Sequence, residues 1–271
     1  MDTNIVISEL LYNGETITLS PDGMIKPTGD VNINENGTHN VAEFENAIVD
    51  VISGEYDIAV TNKEDGSQRL DIVDKDGSGA AKYRNLYDGV ATRRISGNIT
   101  VDVDYLGAYA FSSCKSITGA YLPNVTETDI NIFYSCRALT VFDAPKLTKL
   151  SAHSIAYCTV LSKLNLPSVI TIHSNAAQGC TNALTTVDLP VCTYLGASSF
   201  QDCKKLDTVI LRADTVCQLY NTNCFTNTKI ASGTGFIYVN DNQYDAYLTA
   251  TNWLSYASQI KKISELPKED E

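Results

Sequence analysis

The chain has 271 residues, 44% of them hydrophobic and 19% charged, enough for one or two domains with a substantial core and unlike a disordered protein. Its formal net charge is −12, and the acid excess comes early: residues 1–100 carry 17 acidic and 8 basic side chains, whereas residues 101–235 carry nine of each. That balance argues against nucleic acid or an anionic membrane surface as partner, because both are bound by basic patches, and no stretch approaches the ~18 apolar residues of a membrane span.

The opening, MDTNIVISELLYNGETITL, has no basic leader and no long apolar run. It does not read as a secretory signal, so the expectation is a chain that stays where it is made or leaves inside an assembling particle. NIVISELL and ETITLS alternate as strands across the turn signal YNG, and EYDIAVTN and QRLDIVD read as a strand pair joined at KEDGS. AEFENAIV, residues 42–49, reads as one short helix. DKDGSG places Asp74, Asp76, Ser78 and Gly79 at positions 1, 3, 5 and 6 of a calcium loop, but Asn85 stands where a bidentate glutamate belongs and Lys82 is at position 9. The segment reads as a turn, and no metal or other cofactor is expected. Residues 1–99 are therefore assigned to a β-rich attachment or oligomerisation module, ending near ATRRISGNIT.

From there a period takes over. Cys114, Cys136, Cys158, Cys180 and Cys203 are separated by 22, 22, 22 and 23 residues. Pro123, Pro145 and Pro167 follow their cysteines by nine residues and Pro190 by ten, which accounts for the longer interval. Between cysteine and proline runs an apolar-x-x-apolar-x-apolar pattern, for example Leu139, Phe142, Ala144 and Leu161, Leu164, Leu166. After each proline comes a further pair (Val125/Thr128, Leu147/Leu150, Val169/Ile172, Cys192/Leu195), in which only Thr128 is not apolar. Three residues before each cysteine stand Phe111, Phe133, Ile155, Ala177 and Phe200.

A fixed period of this length means a solenoid, in which no unit buries its apolar face alone and stacked units share one core. The alternation before proline suits a short strand, and proline ends it because it cannot donate to the next ladder bond. Parallel stacking at about 4.8 Å per unit makes a rod roughly 24 Å long. The other side of each coil, as in LGASSFQDC, is rich in small residues and fits a short helical turn. The boundaries follow: a solenoid over 100–230, with a degenerate first unit near 99–113, and a C-terminal cap over 231–271.

The five periodic cysteines mark one inward corner of each coil. Stacked Cα atoms would lie within disulfide range, but parallel Cβ vectors oppose bonding. A ladder of buried thiols (Cys114, Cys136, Cys158, Cys180, Cys203) is expected ahead of any disulfide, with Cys192 another packed thiol. Cys217 and Cys224 fall where the period breaks and receive no assignment. In each strand the middle residue points outward: Tyr121, Asp143, Asn165, Asp188 and Ile210. This row, an aromatic ring beside carboxylates and an amide, is the candidate ligand-binding face, able to hydrogen-bond sugar hydroxyls or a peptide.

FIYV then reads as a strand, and NQYDAYLTA and NWLSYASQI as helices that anchor a cap through Tyr244, Tyr247, Leu248, Trp253, Tyr256 and Ile260. The three histidines, His39, His153 and His173, hold no shared position in the repeat. No His-Glu-x-x-His, Gly-x-Ser-x-Gly, phosphate loop or Cys-x-x-Cys is present. No catalytic residue is assigned, and the chain is not expected to be an enzyme.

YLGAYAFSSCKSITGAYLPNV and YLGASSFQDCKKLDTVIL resemble the repeat unit of the bacterial surface-antigen, or BspA-like, leucine-rich repeat family. The resemblance covers about residues 100–230 and implies an α+β repeat solenoid, a right-handed stack of coils, with adhesion rather than catalysis as its role. VNINENGTHNVAEFENAIVDV resembles an element common in phage and prophage structural proteins. Together the two imply a virion surface protein: a tail or head fibre, or a receptor-binding component. Its N-terminal module would join other virion proteins, by analogy as a homotrimer, and its repeats would meet a host cell-surface protein or glycan, with no membrane insertion. A bacterial cell-surface or secreted adhesin is the alternative, and a ligand-free capsid decoration protein a third.

Overall fold

The computed structural model describes residues 96–101 and 103–267, together with the backbone of eight short strand segments before them. Every coil contributes one strand to a long parallel ladder and, after the proline turn, a two-residue strand to a second. The first ladder runs through Ser96–Val101, Ser116–Tyr121, Val141–Asp143 and Lys163–Asn165, each paired in parallel with the next. It resumes through Thr186–Leu189, Thr208–Leu211, Phe236–Val239 and Ile260–Lys262. The interruption falls at the coil whose cysteine-to-proline segment is one residue longer. The second ladder begins with Tyr105–Leu106 paired to Glu127–Thr128 and, after a break in strand pairing, resumes through Lys149–Leu150, Thr171–Ile172, Tyr194–Leu195 and Gln218–Leu219.

The apolar spacing of three and then two residues has a visible cause in the first coil. The pairing of Ser116–Tyr121 with Ser96–Val101 shifts between Ile117 and Gly119. That irregularity turns Ile117 and Ala120 to the same side, and both are fully buried. The equivalent residues of later coils are buried as well, apart from Leu164, which is partly covered and packs against the core. Thr128 takes its core position despite its hydroxyl and is 1% exposed.

The third side of each coil departs from the expected helical turn. Its amides alternate: one closes a turn along the chain, as Ser112 N–H does to Tyr109 O (3.0 Å), and the next donates to the following coil. Phe111 N–H donates to Ile132 O (2.7 Å), Phe133 to Ser154 O (2.7 Å), Ile155 to Ala176 O (2.9 Å) and Ala177 to Ser199 O (2.9 Å). To aim alternate amides this way, each coil holds two residues in the left-handed region, five and one positions before its cysteine. They are Tyr109 and Ser113, Asn131 and Ser135, His153 and Tyr157, Asn175 and Gly179, Ser198 and Asp202. Left-handed backbone costs a non-glycine residue roughly 1–2 kcal/mol, and the inter-coil bonds offset it.

That geometry explains the cysteines. Turns of this kind point carbonyls into the core, where an acceptor short of donors is costly. The Cys136 thiol donates to Phe111 O at 3.0 Å, Cys158 to Phe133 O at 3.2 Å, Cys180 to Ile155 O at 3.5 Å and Cys203 to Ala177 O at 3.2 Å. Each sulfur fills the corner and feeds the coil before it. Burial pushes the Cys158 thiol up to about 12, so it stays protonated and able to donate. All eight cysteines are buried and free.

The core residues three before each cysteine are all fully buried, and rings stack towards both ends of the array. Phe111 stacks on Phe133 with centroids 4.9 Å apart, and Phe200 stacks on Phe225 at 6.2 Å. Trp253 and Tyr256 close on Phe225 at 6.2 and 5.6 Å. They come from the segment after the last coil, which holds the α-helix Tyr244–Thr249 and a 3-10 stretch Trp253–Gln259 where a regular helix is expected. Trp253 Nε1 donates to Cys217 O (2.6 Å), and Cys217 N–H donates to the Tyr247 hydroxyl (2.8 Å). Two strands extend the first ladder here, Phe236–Val239 and Ile260–Lys262.

Before the repeats, Asn4–Ile7 pairs in parallel with Ser96–Val101, and Gln68–Asp74 in parallel with Tyr105–Leu106. Tyr56–Asn62 and Gln68–Asp74 form the expected antiparallel pair. The helix expected over 42–49 is absent: Glu43–Phe44 and Ala47–Ile48 pair as antiparallel strands instead. Eight residues are too few for a helix to hold without a packed face. Most of DKDGSG lies outside the described residues.

Candidate recognition surface

The outward face of the first ladder is built by register. Thr100, Tyr121, Asp143 and Asn165 stand side by side on four successive strands. Beyond the interruption, Asp188, Ile210, Tyr238 and Lys261 continue the row. Tyr121, Asp143, Asn165 and Asp188 are half-buried. Ile210 is only 5% exposed, so it does not serve as the open contact expected of it.

The reason lies on both sides of Ile210. Arg212, two residues on and on the same face, reaches back to the neighbouring Asp188 in a forked pair, Nε to Oδ1 at 3.0 Å and Nη2 to Oδ2 at 2.7 Å. The carboxylate holds the Arg212 guanidinium above its ordinary range. On the next strand Tyr238 is itself 4% exposed. Lys261 places its amine 3.6 Å above the Phe236 ring, a contact worth up to about 1 kcal/mol at a surface. From Asp188 onward the row is occupied by its own side chains.

The earlier part is open to partners. Asn165 Nδ2 donates to Asp143 Oδ1 at 2.7 Å, fixing the two groups across neighbouring strands. A methyl group on Gly119 would lie 3.0 Å from Tyr121 Cε2 and 2.5 Å from Asn98 Oδ1. Only glycine leaves room for the ring to lie back along its own strand. Thr118 Oγ1 donates to Asn98 Oδ1 (3.0 Å) and holds that amide in place. Val141 and the exposed Lys163 complete the patch on the next two strands.

The histidines lie elsewhere. His153 occupies a left-handed turn position, with the Tyr134 ring 6.2 Å away. Burial lowers its pKa, and burial followed by the Lys149 charge lowers that of His173. Among the described residues no group of three or more His, Cys, Asp or Glu side chains could hold a metal ion. No helix among them is long and apolar enough to cross a membrane.

Sequence reasoning missed one depression of about 500 Å³ lined by Asp202, Lys204, Asn227, Thr228, Lys229 and Ser232. It forms where the period breaks, so no repeat pattern marks it. Much of its polarity is internally matched: Asn227 donates to Asp202 at 2.7 Å, and Lys229 pairs with Asp207 at 3.0 Å.

Comparison with solved structures finds similar leucine-rich repeat proteins at low identity. A leucine rich repeat protein of T. pallidum is 20% identical, with 57% of this chain and 69% of that one covered and a TM-score of 0.45. A leucine-rich repeat protein from Bacteroides ovatus ATCC 8483 is 16% identical, with 70% and 55% covered and a TM-score of 0.43. A leucine rich cell surface protein from Faecalibacterium prausnitzii A2-165 is 16% identical, with 60% and 54% covered and a TM-score of 0.35. The chain thus spans about half the length of the last two. No curated protein matches it. The model of the BspA type leucine rich repeat region matches residues 92–207 and 126–247 in six copies. With more than half of its length so matched, and with coils stacked as that repeat demands, the chain belongs to the BspA type leucine-rich repeat family.

Proposed function

We propose that this protein is a non-catalytic recognition protein of a bacterial cell surface, binding its partner through the early part of the first-ladder face. One observation carries the reading: Tyr121, Asp143 and Asn165 stand half-buried on three adjacent strands, while further along the same row Asp188 is engaged by Arg212 and Ile210 and Tyr238 are buried. Family membership supports the cell-surface placement. The virion placement implied by the N-terminal resemblance finds no support in the comparisons, and the cell-surface reading replaces it. In this reading the segment from residue 231 onward closes the array, and the buried bonds of Tyr247 and Trp253 to Cys217 support that role. The first 99 residues serve attachment.

The test is binding of the fluorescently labelled full chain to intact bacterial and epithelial cells. A triple variant, Tyr121→Ala with Asp143→Ala and Asn165→Ala, is compared with Thr171→Ala plus Gln218→Ala on the second ladder. The first is expected to lose binding and the second to retain it. Equal binding by both would move the site off this face, and binding to no cell would end the recognition reading.

A further inference from the structure

We propose that the ligand of this face is an uncharged saccharide, with one sugar ring against Tyr121 and its hydroxyls shared between Asp143 and Asn165. The inference rests on the recognition reading above and narrows it to a ligand class.

Three features point to sugar. The first is the placement of Tyr121. Its ring lies back over Gly119, sharing the space of the missing side chain with the Asn98 amide, so it forms part of the sheet surface instead of a mobile projection. An aromatic ring held in this way offers an apolar surface to the C–H groups of a pyranose, with little side-chain entropy left to lose.

The second is the polar pair beside it. Asp143 Oδ1 is engaged by Asn165 Nδ2 at 2.7 Å. That bond fixes both planar groups and leaves Asp143 Oδ2 and Asn165 Oδ1 as acceptors and the second Asn165 N–H as a donor. Hydroxyl groups, which donate and accept at once, match such a mixed set. Strands repeat at about 4.8 Å, so Tyr121 to Asn165 spans roughly 10 Å, the reach of a disaccharide.

The third is charge. Asp143 is balanced by Lys163, which precedes Asn165 by two residues on the same face and is exposed. A patch with no net charge, on a chain of net charge −12, does not select an anionic ligand. An extended peptide that adds to a sheet needs unpaired backbone at an edge. The strands that carry Tyr121 and Asp143 are each paired on both sides, so at those two positions side chains alone are available.

The experiment uses the full chain against an immobilised panel of neutral hexose and N-acetylhexosamine oligosaccharides. Target cells are treated in parallel with periodate or with protease. Binding to at least one saccharide is expected. It should weaken about tenfold in Tyr121→Ala and in Asp143→Asn and stay within about threefold in Tyr121→Phe, which keeps the ring. Urea unfolding of each variant separates lost binding from lost folding, and Tyr121→Phe remains informative if Tyr121→Ala unfolds. Cell binding should survive protease and be lost after periodate. If cell binding is lost after protease alone and no saccharide binds, the sugar inference is overturned while the recognition reading stands. If a saccharide binds equally to all variants, the assignment to this face is overturned. If neither cells nor saccharides bind, both readings fail.

Discussion

Gly196→Ala isolates what holds neighbouring coils at their spacing. Gly196 lies at the end of its second-ladder strand, and its backbone φ is not in the left-handed region, so an alanine there meets no conformational penalty of its own. The obstacle is space. An added Cβ would lie 2.5 Å from Ser174 N, 2.6 Å from His173 C and 3.1 Å from Ile172 O, all backbone atoms of the preceding coil. Relief requires the two coils to part by most of an ångström. Gly196 N–H donates to Ile172 O at 2.8 Å and Asn175 N–H donates to Ala197 O at 2.9 Å, so both bonds stretch or break. Two weakened bonds at about 1–1.5 kcal/mol each, plus lost packing beside them, give a destabilisation of about 2–4 kcal/mol. Gly233→Ala is the matched control. Its φ is +82° but the nearest neighbour of its Cβ is Gln259 Nε2 at 3.8 Å, so backbone strain alone costs about 1 kcal/mol. Urea unfolding followed by circular dichroism measures both, and hydrogen exchange at Ala197 and Asn175 locates the damage. A loss below about 0.5 kcal/mol in Gly196→Ala, or a larger loss in Gly233→Ala, would refute the view that backbone contact sets the spacing.

Cys158→Ala removes a buried sulfur and the thiol donor to Phe133 O, leaving that carbonyl only the Cys136 N–H at 3.3 Å. It should cost about 1–3 kcal/mol in the same assay, with Cys158→Ser recovering part of that only if its shorter hydroxyl reaches the carbonyl. Trp253→Phe leaves Cys217 O without its 2.6 Å indole donor and should cost about 1–3 kcal/mol, read from the thermal midpoint. Arg212→Ala breaks a pair whose side chains are 39% and 40% exposed; the expected change is under about 1 kcal/mol, shrinking further in high salt. Stability should fall as pH rises above about 9: Cys158 and Cys224 are raised from 9.0 to about 12 by burial, so the unfolded chain releases those protons first. Unfolding free energies between pH 8 and 11 test this, and a flat profile would count against buried, protonated thiols.

The repeat was legible because stacking forces one residue type to recur at one corner. Cysteine, proline and the apolar pairs each meet the same environment in every coil, and that repetition shows as a period. The left-handed side was not legible. The same backbone conformation is met by Tyr109, Asn131, His153, Asn175 and Ser198, four residue types over five coils, too varied to show as a period. Alternation places Ile210 in the outward row, yet it is 5% exposed on a face where Arg212 crosses to Asp188, and alternation carries no information about a neighbour's reach. In the sequence Gly119 is one more small residue, because its significance depends on where the Tyr121 ring lies. The parallel pairing of Asn4–Ile7 with Ser96–Val101 joins segments some ninety residues apart that share no period.

The interruption of the first ladder has a bearing on how the array can change length. Where coils repeat at 22 residues, excising one whole period between equivalent corners rejoins faces of the same shape, since each coil touches only its neighbours. Gene segments encoding such coils can be duplicated or lost without redesign of the core. The coil that follows Lys163–Asn165 has an extra residue and no continuous pairing to Thr186–Leu189, so its two sides are not interchangeable with those of any other coil. Recombination is free to lengthen or shorten the array on either side of that point, but the junction itself must be inherited intact.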